Sequence, residues 1–106
     1  MKLLFDQETP VPLRNQLLPH LVETAYEKGW SRLKNGDLLS RAEAEGFDGM
    51  ITTDQHLRYQ QNLTGRKIGV VVLLTTNWPR IKNHIALVIQ GVDKIQPGSY
   101  TEIPIP

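Results

Sequence analysis

The sequence predicts an α/β fold, a three-layer α/β/α sandwich around a mainly parallel sheet of four to five strands, in a single domain over residues 1–106. Three observations predict it. Short apolar runs alternate with amphipathic stretches along the chain, the pattern of βαβ units. Ile68-Gly-Val-Val-Val-Leu-Leu is β-branched without alternation, as a strand buried on both faces requires. The stretch Asn35–Leu57, NGDLLSRAEAEGFDGMITTDQHL, passes from turn to amphipathic helix to inner strand and then to an acid.

Taken in order, Lys2–Phe5 is a first strand ending at Asp6. A polar loop follows, with Thr9 as N-cap and Pro10 at the first helical position. Leu13, Leu17 and Leu21 repeat every four residues and predict one apolar helix face, which Pro19 disturbs near its end. His20–Tyr26 predicts a second strand, and Lys28–Asn35 a basic connection carrying Trp30. Asn35-Gly36 then predicts a turn, with Asp37 capping a helix that buries Leu38, Leu39 and Ala42 and stops at Gly46. Gly49–Thr53 is the third strand, and Gln55–Gln61 predicts one or two helical turns. After the Ile68–Leu74 strand, Asn77 caps a helix whose apolar side is Ile81, Ile85, Val88 and Ile89 and whose end is Gly91. The proline-flanked tail, Ser99–Pro106, predicts an edge strand or a clamp across the sheet.

Composition narrows the function classes. With 40% apolar and 22% charged residues of balanced sign, the chain has the makings of a core and is not disordered. A net charge of +1 gives no global nucleic-acid signature, so any such contact would come from local patches. The absence of cysteine excludes disulfides, thiolate metal sites and thiol nucleophiles. MKLLFD meets an acid too early for a signal-peptide core, and no apolar run approaches a membrane span, so a cytoplasmic protein is expected. Nucleotide-binding G-x-x-x-x-G-K-[ST] and G-x-G-x-x-G patterns are missing, as is a G-x-S-x-G elbow.

The chemistry lies with the acids. Asp6 follows the first strand, Asp37 lies between the second strand and its helix, and Asp54 follows the third. Right-handed crossovers and parallel strands bring these loops to the carboxyl edge of the sheet, where open α/β folds bind ligands. Carboxylates gathered on one edge repel, and Mg²⁺ or Mn²⁺ with oxygen ligands is the usual remedy. Such an ion generates a nucleophilic water for phosphodiester hydrolysis. Each acid also has a purely structural role available: Asp37 as a helix cap, Asp54 as a turn cap, Asp6 in ordering its loop. Accessory candidates are Glu8, Thr53 and His56, with Arg58, Arg66 and Lys67 as phosphate contacts. Trp30 and Trp78 read as packing residues.

With these residues in view, the chain resembles PIN-like domains, the nuclease fold of VapC-type toxins, and more closely their compact branch encoded beside small antitoxin-like genes. The resemblance rests on KLLFD with Asp6 at the first strand end, on D-L-L-S-R-A-E-A-E-G with Asp37 opening the helix, and on I-T-T-D-Q-H-L with Asp54. It implies a Mg²⁺- or Mn²⁺-dependent ribonuclease with Asp6, Asp37 and Asp54 as metal and catalytic residues, an antitoxin partner and a homodimer. The chain departs from the family in three places, the first being the segment between Asp6 and Asp37, too short for the helical insertion that carries a further acid in full-length PIN domains. Asp6-Gln7-Glu8 stands where compact relatives read Asp-Glu-Asn, and Asp54-Gln55-His56-Leu57 where they read Asp-x-Asp-Phe. These departures open a second reading, a catalytically depleted fold that binds a protein partner. A receiver-like phosphoacceptor is a third: Asp54 and Thr75 or Thr76 have the placement, but the acid pair and the lysine of that chemistry do not.

Overall fold

A computed structural model describes residues 1–57 and 62–106. Five strands form one sheet: β1 (Lys2–Phe5), β2 (Leu21–Thr24), β3 (Gly49–Thr52), β4 (Gly69–Leu73) and β5 (Tyr100–Ile103). Their order across the sheet is β2-β1-β3-β4-β5, and every neighbouring pair is parallel. The predicted α/β class holds, and the tail is the edge strand β5. Among the described residues, three α-helices accompany the sheet: α1 (Asn35–Ala44), α2 (Trp78–Lys82) and α3 (Ile85–Val92).

Because successive strand residues face opposite ways, each central strand feeds two cores. Leu3, Phe5, Ile51, Val71 and Leu73 face one layer, containing a 3₁₀ helix (Val11–Gln16), α2 and α3. Leu4, Met50, Val70 and Val72 face the other, where α1 contributes Leu38, Leu39 and Ala42 and the segment after β3 contributes Leu57 and Leu63. All five residues of β4 are buried, as its unbroken β-branched run predicts. Each fully buried Leu, Ile, Val or Phe stabilises the fold by about 1.5–3 kcal/mol relative to exposure, so the central strands anchor both layers.

Several elements differ from expectation for local reasons. The predicted first helix is a 3₁₀ turn ending by Leu17, because Pro19 disfavours helical geometry in the residue before it. Leu13 and Leu17 are buried as their spacing implies, but Leu21 opens β2 and is exposed. Asn35-Gly36 is the first turn of α1 rather than a turn before it. Lys34 stands at the N-cap without a side-chain bond, and Asp37 lies within the first turn, where a carboxylate suits the helix dipole. The stop at Gly46 is as predicted: φ is +83°, Gly46 N–H bonds Glu43 O at 3.1 Å and Phe47 N–H bonds Ala42 O at 3.0 Å. These are the paired bonds of a Schellman ending, and buried Phe47 joins Ala42 in one core cluster.

The predicted helix after Asn77 is two helices, α2 and α3, broken at Asn83-His84. Asn77 does cap α2, its side chain accepting the Arg80 N–H at 3.0 Å. Ile81 and Val88 are buried, but the break turns Ile89 to solvent. Gly91 does not end the helix. It sits inside α3, where a Cβ would lie 2.2 Å from Ile103 Cδ1, so its bareness lets α3 lie against β5. The Gln55–Gln61 expectation falls largely outside the described residues.

The crossovers do not share one hand. The β3→β4 and β4→β5 connections step the same way across the sheet, yet pass over opposite faces, so they differ in hand. Two glycines make room for the second return. Gly49 and Gly69 are register neighbours, and a Cβ on either would come within 2.6 and 3.1 Å, respectively, of Ile95 side-chain atoms. At Gly69 a Cβ would also lie 2.7 Å from the backbone carbonyl of Gln96, which no rotamer change relieves. Gly69→Ala should therefore lower unfolding stability by about 1–3 kcal/mol in chemical denaturation, with little change in m-value. An unchanged midpoint would show that the return segment shifts freely.

Candidate functional site at the carboxyl ends of β1 and β3

In this strand order the direction of winding reverses between β1 and β3, which leave the sheet toward opposite sides and open a crevice at their carboxyl ends. Asp6 and Asp54 flank it. Asp6 is the first residue past β1 and only 6% exposed. Its Oδ1 accepts Glu8 N–H at 3.2 Å and Thr9 N–H at 3.1 Å, which folds residues 6–9 back over the strand end. Thr9 Oγ1 lies 2.7 Å from the same Oδ1, and the Thr52 hydroxyl donates to Oδ2. Thr52 is the last residue of β3, and its Oγ1 accepts Asp54 N–H at 3.0 Å. One hydroxyl thus ties the two acids' loops together.

Asp54 is half-buried. Its Oδ2 accepts Asn35 Nδ2–H at 2.8 Å and its Oδ1 accepts His56 N–H at 2.9 Å. The contact from His56 comes from its backbone, while the residue itself is exposed. Glu8 is exposed and reaches back to buried Thr53, whose hydroxyl lies 3.5 Å from Glu8 Oε2. Asp6, Glu8, Thr53 and Asp54 therefore share the crevice. Asp37 does not touch them: it is exposed on α1 and lines a separate shallow hollow with Leu33, Ser40 and Arg41.

Two of the basic candidates, Arg66 and Lys67, lie elsewhere. Arg66 and Lys67 immediately precede β4, at the amino edge of the sheet, opposite the acids. Arg66 is committed to α1, with Nη1 2.7 Å from Glu43 Oε1 and 3.3 Å from Ser40 Oγ. Arg58 lies outside the described residues. Trp30 is a packing residue as expected, buried edge-on to Phe47 with ring centres 6.1 Å apart. Trp78, half-buried, packs against the core that contains Ile81 and Val88.

The sequence reading missed Asn35, Thr9 and Thr52. The sequence predicts a turn at Asn35, yet its side chain reaches from α1 to Asp54. Thr9 was read as a helix cap, yet its hydroxyl packs between Asp6 and Ile51 O, 2.7 Å from each. The hint for Thr52 was present: a threonine two residues before an acid can accept that acid's N–H.

Electrostatics single out Asp6. Burial pushes its carboxyl above the ordinary carboxylate range, against the opposing pull of hydrogen bonds from Thr52, Thr9 and the Glu8 and Thr9 backbone. Thr9 has one hydroxyl proton for two acceptors. The Thr9 hydroxyl divides it between Asp6 Oδ1 and Ile51 O. Among the described residues no ion pair engages Asp6, Glu8, Asp37 or Asp54, and no three Asp, Glu or His side chains gather closely enough to form a metal-binding group. The chain matches no protein-family model, and no curated protein or solved structure shows significant similarity to it. No helix among the described residues is long and apolar enough to cross a membrane.

A raised folded-state pKa means that the native protein holds this proton more tightly than the unfolded chain. The resulting stabilisation is complete below the unfolded value and is lost as pH rises through the folded one. With a chelator present, the unfolding midpoint of Asp6→Asn relative to wild type should therefore climb as pH rises above about 4. A difference that stays constant with pH would show that the group ionises alike in both states.

Proposed function

We propose that the crevice between β1 and β3 is the site of a divalent-cation-dependent ribonuclease that hydrolyses RNA phosphodiesters. The observation that carries this reading is the position of Asp6, Glu8 and Asp54 around the winding reversal of a parallel sheet, none of them engaged in an ion pair among the described residues. The donor set fits a hard ion: all are oxygen ligands, and Mg²⁺ or Mn²⁺ needs only one or two carboxylates beside water and substrate phosphate. Asp6 and Asp54 would hold the ion, with Glu8 on the solvent side. When bound, it supplies a water of lowered pKa and a positive charge against the phosphate. The chain's own contribution is positioning. Asn35 and the His56 N–H fix the Asp54 carboxylate, and Thr52 couples its loop to Asp6. Asp37, outside this contact set, would act on the approach to the crevice. The resemblance to PIN-like domains supports the same reading and adds an antitoxin-like inhibitor and a homodimer as expected partners.

A second reading has its own observation. Asp6 is buried, and both its oxygens already accept internal hydrogen bonds, as befits a structural residue. On that reading the fold is catalytically depleted and binds a protein partner. Mn²⁺ calorimetry separates the two. Saturable binding by the wild type that disappears in Asp6→Asn/Asp54→Asn supports the ribonuclease, whereas a wild type that binds no Mn²⁺, with or without RNA, supports the binding module.

The single variant Asp54→Asn should abolish RNA cleavage while costing at most about 1 kcal/mol of stability, because the amide keeps one acceptor oxygen. A loss of several kcal/mol would mark Asp54 as a loop cap first.

A further inference from the structure

Beside Asp6, on the flank away from Asp54, a hollow of about 280 Å³ opens between the β1 and β2 ends, lined by Asp6, Thr9, Arg14, Thr24 and Tyr26. Tyr26 is the most exposed large hydrophobic side chain among the described residues, at 81%. Its exposure is not that of a loose loop. The turn that carries it is closed by Lys28 N–H to Thr24 O at 3.1 Å, Gly29 N–H to Tyr26 O at 3.0 Å and Trp30 N–H to Ala25 O at 2.8 Å. Ala25 N–H also bonds Phe5 O at 2.8 Å, fastening the turn to β1 next to Asp6. The backbone thus holds an aromatic ring in water at the rim of this hollow.

The polar groups of the hollow indicate what the ring faces. Arg14 is neutralised by Glu27 through two bonds of 2.8 and 3.1 Å, so it offers no free charge to a phosphate. Thr24 is buried, and its Oγ1 accepts Glu27 N–H at 3.1 Å while donating to no group among the described residues. A hollow with an aromatic rim, a spare hydroxyl donor and no uncompensated cation suits a flat, uncharged, hydrogen-bonding ring. At about 280 Å³ it is no larger than the smallest ligand pockets.

We propose that this hollow seats one unpaired nucleobase of the RNA, stacked on Tyr26 with the Thr24 hydroxyl donating to a ring nitrogen or carbonyl. The adjoining phosphodiester then falls toward Asp6 and Asp54. The inference rests on the ribonuclease reading for the fate of the strand, but the base seat is testable without cleavage. It makes single-stranded RNA the substrate class, because a paired base has no free face to stack.

The test measures binding of a fluorescein-labelled single-stranded oligoribonucleotide by anisotropy, with Ca²⁺ in place of Mg²⁺, to the full chain. The same strand carrying one abasic position, a fully paired duplex and a nucleoside 5′-monophosphate followed by amide chemical shifts complete the set. Tyr26→Ala should weaken strand binding roughly 5- to 150-fold, the range for loss of one stacked base, while Tyr26→Phe retains it. Because the side chain is exposed, both variants should fold as the wild type does. The monophosphate should shift amides of Thr24–Glu27. Equal affinity of wild type and Tyr26→Ala, or monophosphate shifts that avoid this turn, would overturn the base seat even if RNA is cleaved. Base binding at Tyr26 without Mg²⁺-dependent cleavage would leave the seat standing and remove the nuclease. A chain that binds neither strand nor monophosphate would overturn the seat and leave Tyr26 as a protein-contact residue.

Discussion

The carboxyl group of Asp6 is the constraint on which the crevice depends. A carboxylate in a buried position must find donors or lose its charge. Asp6 recruits them from its own loop, through the Glu8 and Thr9 amides, and from the neighbouring strand, through Thr52. Those bonds curl the chain after β1 and fix the end of β3 against it. Thr52 in turn holds the Asp54 amide, so the position of the second acid follows from the environment of the first. The crevice is therefore a product of side-chain hydrogen bonds laid over the opening that the strand order leaves.

That opening has its own cause in the two-faced core. Strands of four or five residues are short, and β1, β3 and β4 hold together because both their faces are covered. The covering elements leave β1 and β3 toward opposite sides, which prevents either connection from closing over the gap between them. The last crossover reverses the hand of the one before it, at the cost of bare backbone at Gly49, Gly69 and Gly91. These glycines lie far from the acids in role as well as place: they let Ile95 and Ile103 approach the sheet and α3, and so let β5 complete it.

Much of this was legible in the sequence where the signal is periodic or punctuated. The β-branched run before Leu74, the apolar side of α1, its stop at Gly46 and the cap at Asn77 each have a local physical cause that acts alone. The failures share another property. Leu21 continues a four-residue spacing begun by Leu13 and Leu17, but belongs to the next element, because proline geometry overrode periodicity. Gly91 resembles a helix terminator, yet its bareness serves a contact with Ile103, which is distant in sequence. Asp37 and Asn35 exchanged roles for a similar reason. Residues two apart on a helix face differently, and only the position of α1 against the sheet decides which of them meets Asp54.

The same reasoning separates the acids by what surrounds them. Asp6 is buried and bonded on both oxygens, its pKa raised by that burial, whereas Glu8 is exposed and Asp54 is half-buried. A cation entering such a crevice would meet Glu8 and Asp54 from the solvent side, with the buried Asp6 behind them. The hollow on the far flank of Asp6, rimmed by Tyr26, shares that buried carboxyl group as a wall. Ion and base would therefore sit on either side of one residue, and the Asp6 network would fix the distance between them. On the proposed reading, that shared wall would give a buried, fully bonded acid a purpose beyond ligation, because it would set the register between the group that binds the strand and the groups that act on it.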